Sequence, residues 1–149
     1  MEFEKLIKST KPLPLPTKVM LNLIYTSNIV QEKVVSGLKD CGLTMQQYNV
    51  LRILRGQNRK PANLGTIQER MINKMSNTTR LVDKLLEKKL VTRTVCPSNR
   101  RKIEILITDS GFDLLNKLDP ITDEKNVEIL KNLTAKELET LNNLLDKLK

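Results

Sequence analysis

Residues 76–107, with the sequence SNTTRLVDKLLEKKLVTRTVCPSNRRKIEILI, decide the fold of this chain. Small polar side chains open the stretch, and leucine and valine then recur at helical spacing. A basic loop follows, and after it Ile103, Ile105 and Ile107 alternate with other residues. This order predicts a helix, a strand, a loop with arginines at its tip and a second strand. The loop, residues 96–101, is expected to be too long for a two-residue turn. A helix that can enter a DNA groove, followed by such a hairpin, is the layout of a winged helix.

Capping signals place the helices ahead of this stretch. Thr44 and Gln47 have the spacing of a capping box, in which each side chain bonds the backbone of the other at a helix start. A helix should therefore run from there to about Leu54, with Tyr48 and Leu51 turned inward. The other helices predicted from the spacing of apolar residues cover 18–39, 63–71 and 74–89.

The C-terminal third is predicted to hold two more helices. Thr108 or Asp109 should cap the first of them, and Pro120 should kink or break it near residues 117–119. Thr134 begins a second capping box. The helix that it opens carries a face of leucines, namely Leu138, Leu141, Leu144, Leu145 and Leu148.

The helices at the two ends of the chain are expected to form a homodimer. A monomer of 149 residues seldom buries such a leucine face by itself, and pairing with a second copy is the simplest solution. We expect a mainly α fold with a small β-hairpin: a winged helix-turn-helix over about 44–107, with dimerisation helices at about 18–40 and 109–148. Prolines alternating with leucines predict an extended arm over 1–17, either a loose tail or a segment on a partner subunit, ahead of a single domain over 18–149.

The net charge of +9 is concentrated in the middle of the chain. Residues 50–102 include 14 basic and 3 acidic side chains, which gives this segment a charge of +11 and leaves −2 for the remainder. A basic centre between nearly neutral flanks indicates a surface for a polyanion. A charge that served only solubility would be spread more evenly.

Missing residue types argue against several other classes of protein. The chain has no histidine, which removes the usual general base near neutral pH and the commonest nitrogen ligand of zinc. The two cysteines, Cys41 and Cys96, lack metal-binding spacing and do not make a disulfide scaffold, so we expect a reducing cytoplasm and no cofactor or metal. We also expect neither a signal peptide nor a membrane span.

The start of the fourth helix and the tip of the hairpin carry the candidate DNA-binding residues. Small side chains at a helix N-terminus approach bases and phosphates easily, although an ordinary N-capped surface helix has the same composition. Arg80 can bind a guanine edge bidentately, and the basic loop beside Lys102 fits a minor groove or a phosphate backbone. The residues expected at DNA are Asn63, Ser76, Asn77, Thr78, Thr79, Arg80, Lys84, Asn99, Arg100 and Arg101.

The order of these elements resembles the MarR family of bacterial transcription regulators. The similarity rests on residues 76–85, 90–93, 99–101 and 106–108 followed by Gly111, and it extends over roughly 18–148. It implies an obligate homodimer whose fourth helix reads the major groove and whose hairpin reads the minor groove of a pseudopalindromic operator. It also implies repression that ends when a small ligand binds between the dimerisation and DNA-binding regions, or when a cysteine is oxidised.

Two residues depart from the pattern of the family, and the cysteines do not match that of its peroxide-sensing branch. Asn99 stands where the family usually has aspartate, so the wing lacks a charged partner for its arginines. Lys89 stands where the family usually has glycine at the end of the recognition helix. If the left-handed turn is retained, lysine costs on the order of 1 kcal/mol there; otherwise the turn is rebuilt. Cys41 and Cys96 do not match the N-terminal reactive cysteine of the peroxide-sensing branch, which favours inert thiols over a redox switch.

Two other functions stay open on the sequence alone. A winged-helix module could use its basic face for RNA or for a protein partner, and a shallow salt dependence on duplex DNA would favour that function. An enzyme would need catalytic groups that the sequence lacks. The carboxylates within 119–128 could in principle act as an acid and a base, but they have the pattern of a solvated helical face. We therefore expect a DNA-binding regulator that is not an enzyme.

Overall fold

The computed structural model describes residues 2–149, with all their side chains except those of Glu2, Arg100 and Arg101. No helix within this range has the length and apolar character that a membrane crossing needs. A mainly helical fold with one antiparallel hairpin confirms the predicted fold class. In chain order the elements are α1 (Glu2–Leu6), α2 (Leu15–Lys39), α3 (Met45–Arg55), α4 (Leu64–Arg70), α5 (Thr78–Glu87), β1 (Val91–Cys96), β2 (Asn99–Ile107), α6 (Asp109–Leu130) and α7 (Ala135–Asp146).

The core lies where α3, α4 and α5 meet the hairpin and the first half of α6. A backbone bridge between Ala62 and Ile105 attaches the segment ahead of α4 to the edge of β2. Because the apolar side chains recur at helical spacing, their burial turns the polar faces of α3 and α5 outward. Fully buried side chains of this core include Leu51, Leu54, Ile67, Val82, Leu85, Ile105 and Leu115.

Both predicted capping boxes form. The Thr44 hydroxyl accepts a hydrogen bond from the Gln47 backbone N–H at 3.1 Å, and the Gln47 side chain accepts one from the Thr44 N–H at the same distance. Thr134 and Glu137 make the equivalent pair at the start of α7. The sequence therefore predicts where α3 and α7 begin, because these signals are local in the chain.

Helix α5 begins later than the sequence predicted. Asn77 caps it, so residues 74–76 belong to the preceding turn and not to the helix. In that turn the side chain of Asn73 accepts a hydrogen bond from the Met75 N–H at 3.0 Å, and Asn49 on α3 accepts one from the Ile72 N–H at 3.0 Å. These bonds hold the backbone in a non-helical conformation, and the one from Asn49 is not visible in the local sequence.

The hairpin loop is shorter than predicted. Only residues 97–98 separate the strands, and Cys96 is paired with Asn99 across the turn. The neighbouring pair is Val95 with Ile103, so residues 100–102 are extra residues on β2 that form a bulge. A bulge keeps pairing on both of its sides while it inserts residues into one strand. The expectation of a six-residue loop is therefore wrong, because the basic residues bulge out of β2.

The N-terminal segment is not the extended arm that was predicted over 1–17. Residues 2–6 form α1, which packs on α2 through an edge-to-face contact between the rings of Phe3 and Tyr25, with 6.1 Å between centroids. Glu4 and Lys18 form an ion pair at 2.9 Å between the same helices. Pro16 lies in the first turn of α2, where a missing N–H breaks no helical hydrogen bond. Pro14 and Pro16 therefore lie at the start of a helix, and Pro12 lies ahead of it.

Helix α6 continues through Pro120, so of the kink or break predicted near 117–119 the break is wrong. Proline has no N–H to donate to the preceding turn. The surrounding turns are held instead by side chains: Leu118 is fully buried in the core, and the Thr122 hydroxyl donates to the Asp119 carbonyl oxygen at 2.9 Å. Tertiary packing thus outweighs the local effect of the proline.

Candidate nucleic-acid interface

Helix α5 presents a polar face to solvent and an apolar face to the core. Thr79, Arg80 and Lys84 are exposed on the outer face. Lys84 pairs with Glu87 at 2.8 Å, but both side chains are well exposed. A surface ion pair of this kind contributes little to stability. Its cation can therefore be drawn to a phosphate at small cost.

Two predicted DNA-binding asparagines cap helices. Asn77 accepts a hydrogen bond from the Arg80 N–H at 3.1 Å at the start of α5. Asn63 accepts one from the Thr66 N–H at 2.8 Å at the start of α4. The oxygen of each side chain is thus used in the cap, which leaves the NH2 group for a contact with a phosphate or a base acceptor.

Two other predicted residues point into the protein. Thr78 is buried, and its hydroxyl donates a hydrogen bond to the Gln68 side chain on α4. Ser76 is half-buried, and its hydroxyl oxygen is shielded from solvent with no hydrogen-bond partner among the described residues. Thr78 therefore anchors α5 to α4, and we leave it out of the proposed DNA surface. Small side chains at a helix start do not reveal from sequence which of them turn inward.

A groove of about 490 Å³ lies beside Arg80 and Lys84. The wall of this groove also includes residues that the sequence analysis did not single out for DNA: Thr44 and Gln46 from the start of α3, and Asn73 and Met75 from the turn before α5. The N-termini of α3 and α5 meet at this groove, and both favour negative charge. The capping box at Thr44 was the one sequence signal for this wall.

The hairpin carries the other half of the predicted interface. Arg93 on β1 pairs with Asp83 on α5 at 3.2 Å, which attaches the base of the hairpin to the helix. Asn99 begins β2 opposite Cys96. The backbone of Arg100 and Arg101 lies in the bulge of β2, and the predicted roles of their side chains fall outside the described part of the structure.

The turn after α5 retains the left-handed conformation despite the lysine. Lys89 has φ 58°. Its N–H donates to the Leu86 carbonyl at 2.9 Å, and the Leu90 N–H donates to the Leu85 carbonyl at 3.0 Å. This is the hydrogen-bond pattern of a Schellman motif, in which glycine is the preferred residue at the left-handed position. The strained lysine therefore ends the helix in the way that a glycine would.

A polar network joins α3 to α6 behind the interface. Arg55 donates to both oxygens of Asp119, at 2.6 and 3.2 Å. The Tyr48 hydroxyl donates to Asp119 at 3.4 Å and lies 3.1 Å from the Thr122 hydroxyl. The hydrogen bonds from Arg55 are the main reason that the pKa of the Asp119 carboxyl lies below its usual value. The network therefore holds α6 against the helix-turn-helix through charged groups.

A second cavity, of about 310 Å³, lies between α2, α3 and the turn before α5. Its wall is partly apolar, with Met71 and Ile72 from the turn. Arg52 also lines it and stands 5.7 Å from the centre of the Tyr48 ring. Gln46 and Asn73 line both this cavity and the groove, so the two spaces share a wall.

Both cysteines are free thiols and half-buried. Cys41 packs against the core after α2, and the Cys96 sulfur lies 3.2 Å from the Ser98 hydroxyl at the tip of the hairpin. In the part of the chain that the structure describes, no group of three or more side chains is arranged to hold a metal ion.

Known proteins resemble this chain in both sequence and structure. The MarR family model matches residues 43–103. A MarR transcription factor from Planctomyces limnophilus is 31% identical, covers 91% of this chain and 98% of its own, and superposes with a TM-score of 0.70. BpsR from Bordetella bronchiseptica, whose DNA binding is regulated by 6-hydroxynicotinic acid, is 20% identical, covers 93% and 98%, and has a TM-score of 0.80. A MarR variant from E. coli complexed with operator DNA is 22% identical, covers 90% and 94%, and has a TM-score of 0.77.

These similarities differ in what they establish. The two structures at 20% and 22% identity support the winged-helix fold alone. The Planctomyces relative also matches in sequence over nearly its whole length, and the family model covers α3 to the start of β2. The family consists of transcription regulators, which confirms the expectation that this protein is not an enzyme. The chain belongs to the MarR family of transcription regulators.

Proposed function

We propose that the protein is a repressor that binds a pseudopalindromic operator in double-stranded DNA as a homodimer. The observation that carries this proposal is the outer face of α5, where Thr79, Arg80 and Lys84 are exposed beside the 490 Å³ groove. The segment around this face, residues 50–102, has a charge of +11. A helix of this size fits the major groove of B-DNA, and arginine can bind guanine there through two hydrogen bonds.

The apolar surface of the terminal helices supports a dimer. Helix α7 has no buried residue although its leucines lie on one face. Leu144 is 54% exposed there, and Val19 and Ile24 on α2 are 51% and 53% exposed. Exposed apolar side chains that cluster on a helix face are typical of an interface. With a two-fold axis between the copies, their α5 helices would read half-sites about 10 bp apart.

The wing would position the protein on the DNA. The sequence places Asn99, Arg100 and Arg101 in one basic run that continues with Lys102. Contacts with phosphates or with the minor groove fix register and orientation, and they add affinity for every sequence alike. Arg101→Ala should therefore weaken binding to all duplexes.

A small ligand is the proposed signal for release from DNA. The 310 Å³ cavity lies between α2, which belongs to the proposed dimer interface, and the helix-turn-helix. Arg52 at its wall would favour an anionic ligand, and the amide groups of Gln31 and Asn49 offer hydrogen bonds. Because Gln46 and Asn73 also line the groove beside α5, a ligand that shifts them would alter the DNA-binding surface. Release by oxidation of Cys41 or Cys96 has no comparable support.

The proposal is tested by binding of the protein to DNA upstream of its own gene and to a scrambled duplex over a salt series. We expect a preference for the upstream DNA and a steep fall of log affinity with log salt, because phosphate contacts release counterions. A footprint on that DNA would then give the operator. Absence of binding to either duplex at low salt would contradict the proposal. Binding with only a shallow salt slope would instead turn attention to RNA or a protein as the partner of the basic face. The repressor would act in the cytoplasm, where bacterial DNA lies.

A further inference from the structure

Met75 is an apolar side chain on a cationic polar surface. It is 93% exposed, more than any other large hydrophobic residue in the part of the chain that the structure describes. Arg80 and Lys84, which line the same groove, carry positive charge. A large apolar side chain that solvent surrounds almost completely gains free energy when a partner covers it.

The exposure of Met75 does not result from a loosely held loop. The Met75 N–H donates to the Asn73 side chain at 3.0 Å, and the Ser76 N–H donates to the Asn73 carbonyl at 3.2 Å. The Gln68 side chain donates to the Lys74 carbonyl at 2.9 Å from α4. The backbone on both sides is thus fixed, and the side chain is held outward at the entrance to α5.

Met75 lines the same groove as the face of α5 that we propose reads bases. Met75, Arg80 and Lys84 all line it, together with Asn77, the cap of α5. A duplex that brings base edges to Arg80 would therefore bring them near Met75 as well. This step rests on the proposed function, in which α5 enters the major groove.

Only one apolar group is available to a side chain in the major groove. Guanine, adenine and cytosine present hydrogen-bonding atoms there, and thymine presents its 5-methyl group beside an acceptor. A thioether side chain is unbranched and polarisable, so it adapts to such a small target. We propose that Met75 reads thymine in each operator half-site by packing against its 5-methyl group, and that it is a specificity-determining residue beside Arg80.

Replacement of thymine by deoxyuridine tests this proposal, because it removes the methyl group and leaves base pairing intact. Each thymine of one operator half-site is replaced in turn, and the dissociation constant is measured for the wild type and for Met75→Ala. At one position we expect the wild type to bind about fourfold more weakly, the loss expected for one buried methyl group. Met75→Ala should bind both duplexes equally. Its thermal melting should match that of the wild type, because the side chain packs against little.

Two further variants sharpen the result. Met75→Leu keeps an apolar side chain and should keep the sensitivity to deoxyuridine. Leu6→Ala removes an exposed apolar side chain of α1 that lines neither the groove nor the proposed ligand cavity, and it should respond as the wild type does. If the wild type binds every deoxyuridine duplex as tightly as the operator, or if Met75→Ala keeps the loss, Met75 does not read thymine. A wild type that fails to prefer its operator over scrambled DNA would overturn the proposed function itself, which is a separate outcome.

Discussion

Arg55 on α3 and Asp119 on α6 form a two-bonded ion pair, with N–O distances of 2.6 and 3.2 Å. The pair connects a helix of the DNA-binding unit with the long helix that we propose takes part in dimerisation. The Tyr48 hydroxyl reaches the same carboxylate, and Tyr48 also lines the cavity proposed for the ligand. Asp119 therefore joins the DNA-binding unit to the proposed dimer helix, and Tyr48 connects this pair with the proposed ligand cavity.

Asp119→Asn should destabilise the protein at neutral pH but not in acid. Both side chains of the pair keep about a third of their surface exposed, at 29% and 34%, so we expect a loss of only about 1 kcal/mol in the free energy of unfolding. Arg55 lowers the pKa of Asp119 in the folded state. The contribution of the Arg55–Asp119 ion pair to the free energy of unfolding is therefore fully present above the unfolded pKa of about 3.9. It is lost as the pH falls through the lower pKa of the folded state. Urea unfolding at several pH values measures both effects.

The control for this variant is Asp146→Asn. Asp146 pairs with Lys149 at 2.7 Å, but both side chains are more than half exposed. We expect a change within about 0.5 kcal/mol for this surface substitution. A difference between wild type and Asp119→Asn that stayed constant down to pH 2 would rule out the ion pair as its cause.

Lys89→Gly should raise the free energy of unfolding by about 1 kcal/mol, because glycine adopts the left-handed conformation without the clash that a side chain makes. Lys88→Gly is the matched control. Lys88 has φ −82°, which suits any residue, so glycine there should not stabilise the protein. Thermal and urea unfolding of both variants give the comparison. Equal effects of the two substitutions would mean that the turn is not strained in solution.

Thr78→Val should lower stability, whereas Thr79→Val should lower operator affinity, although the two substitutions alter adjacent residues in the same way. Thr78 is buried and bonded to Gln68, so its variant leaves a polar group without a partner and should lose about 1–3 kcal/mol of stability. Thr79 is exposed on the outer face of α5, so its variant should keep its stability and bind the operator more weakly. Unfolding curves and DNA titrations separate the two roles. Loss of operator affinity in a fully folded Thr78→Val variant would mean that Thr78 does contribute to DNA binding.

Leu144→Glu should convert the protein from a dimer to a monomer, because it places a charge in the proposed apolar interface of α7. Sedimentation equilibrium measures the mass directly. Val95→Glu, at a similar exposure of 56% on the hairpin, should remain dimeric. A wild type that sediments as a monomer would contradict the dimer, and so would an unchanged mass of Leu144→Glu.

The sequence predicted best those features whose cause is local. The capping boxes at Thr44 and Thr134 each depend on side chains within three residues, and both form. The alternation of Ile103, Ile105 and Ile107 also predicted the second strand of the hairpin. In these cases the periodicity and the capping residues agree with the packing, so nothing in the tertiary structure overrides them.

The features that the sequence missed depend on distant contacts. Asn49 on α3 bonds the turn before α5 and so delays the start of that helix. The burial of Leu118 and the bonding around Asp119 carry α6 past Pro120. Gln46 and Asn73 reach the groove only because α3 and α5 pack together. Whether Ser76 and Thr78 face outward likewise depends on α4, which the local pattern does not reveal.

The affinity of wild type and Arg80→Ala for operator and scrambled DNA at one salt concentration tests the central claim most directly. If α5 reads bases through Arg80, the variant should lose roughly tenfold or more on the operator, as for one bidentate contact to guanine, and much less on scrambled DNA. Arg101→Ala serves as the control and should weaken both duplexes alike. A preference for operator over scrambled DNA that survives unchanged in Arg80→Ala would contradict base reading by this face of α5.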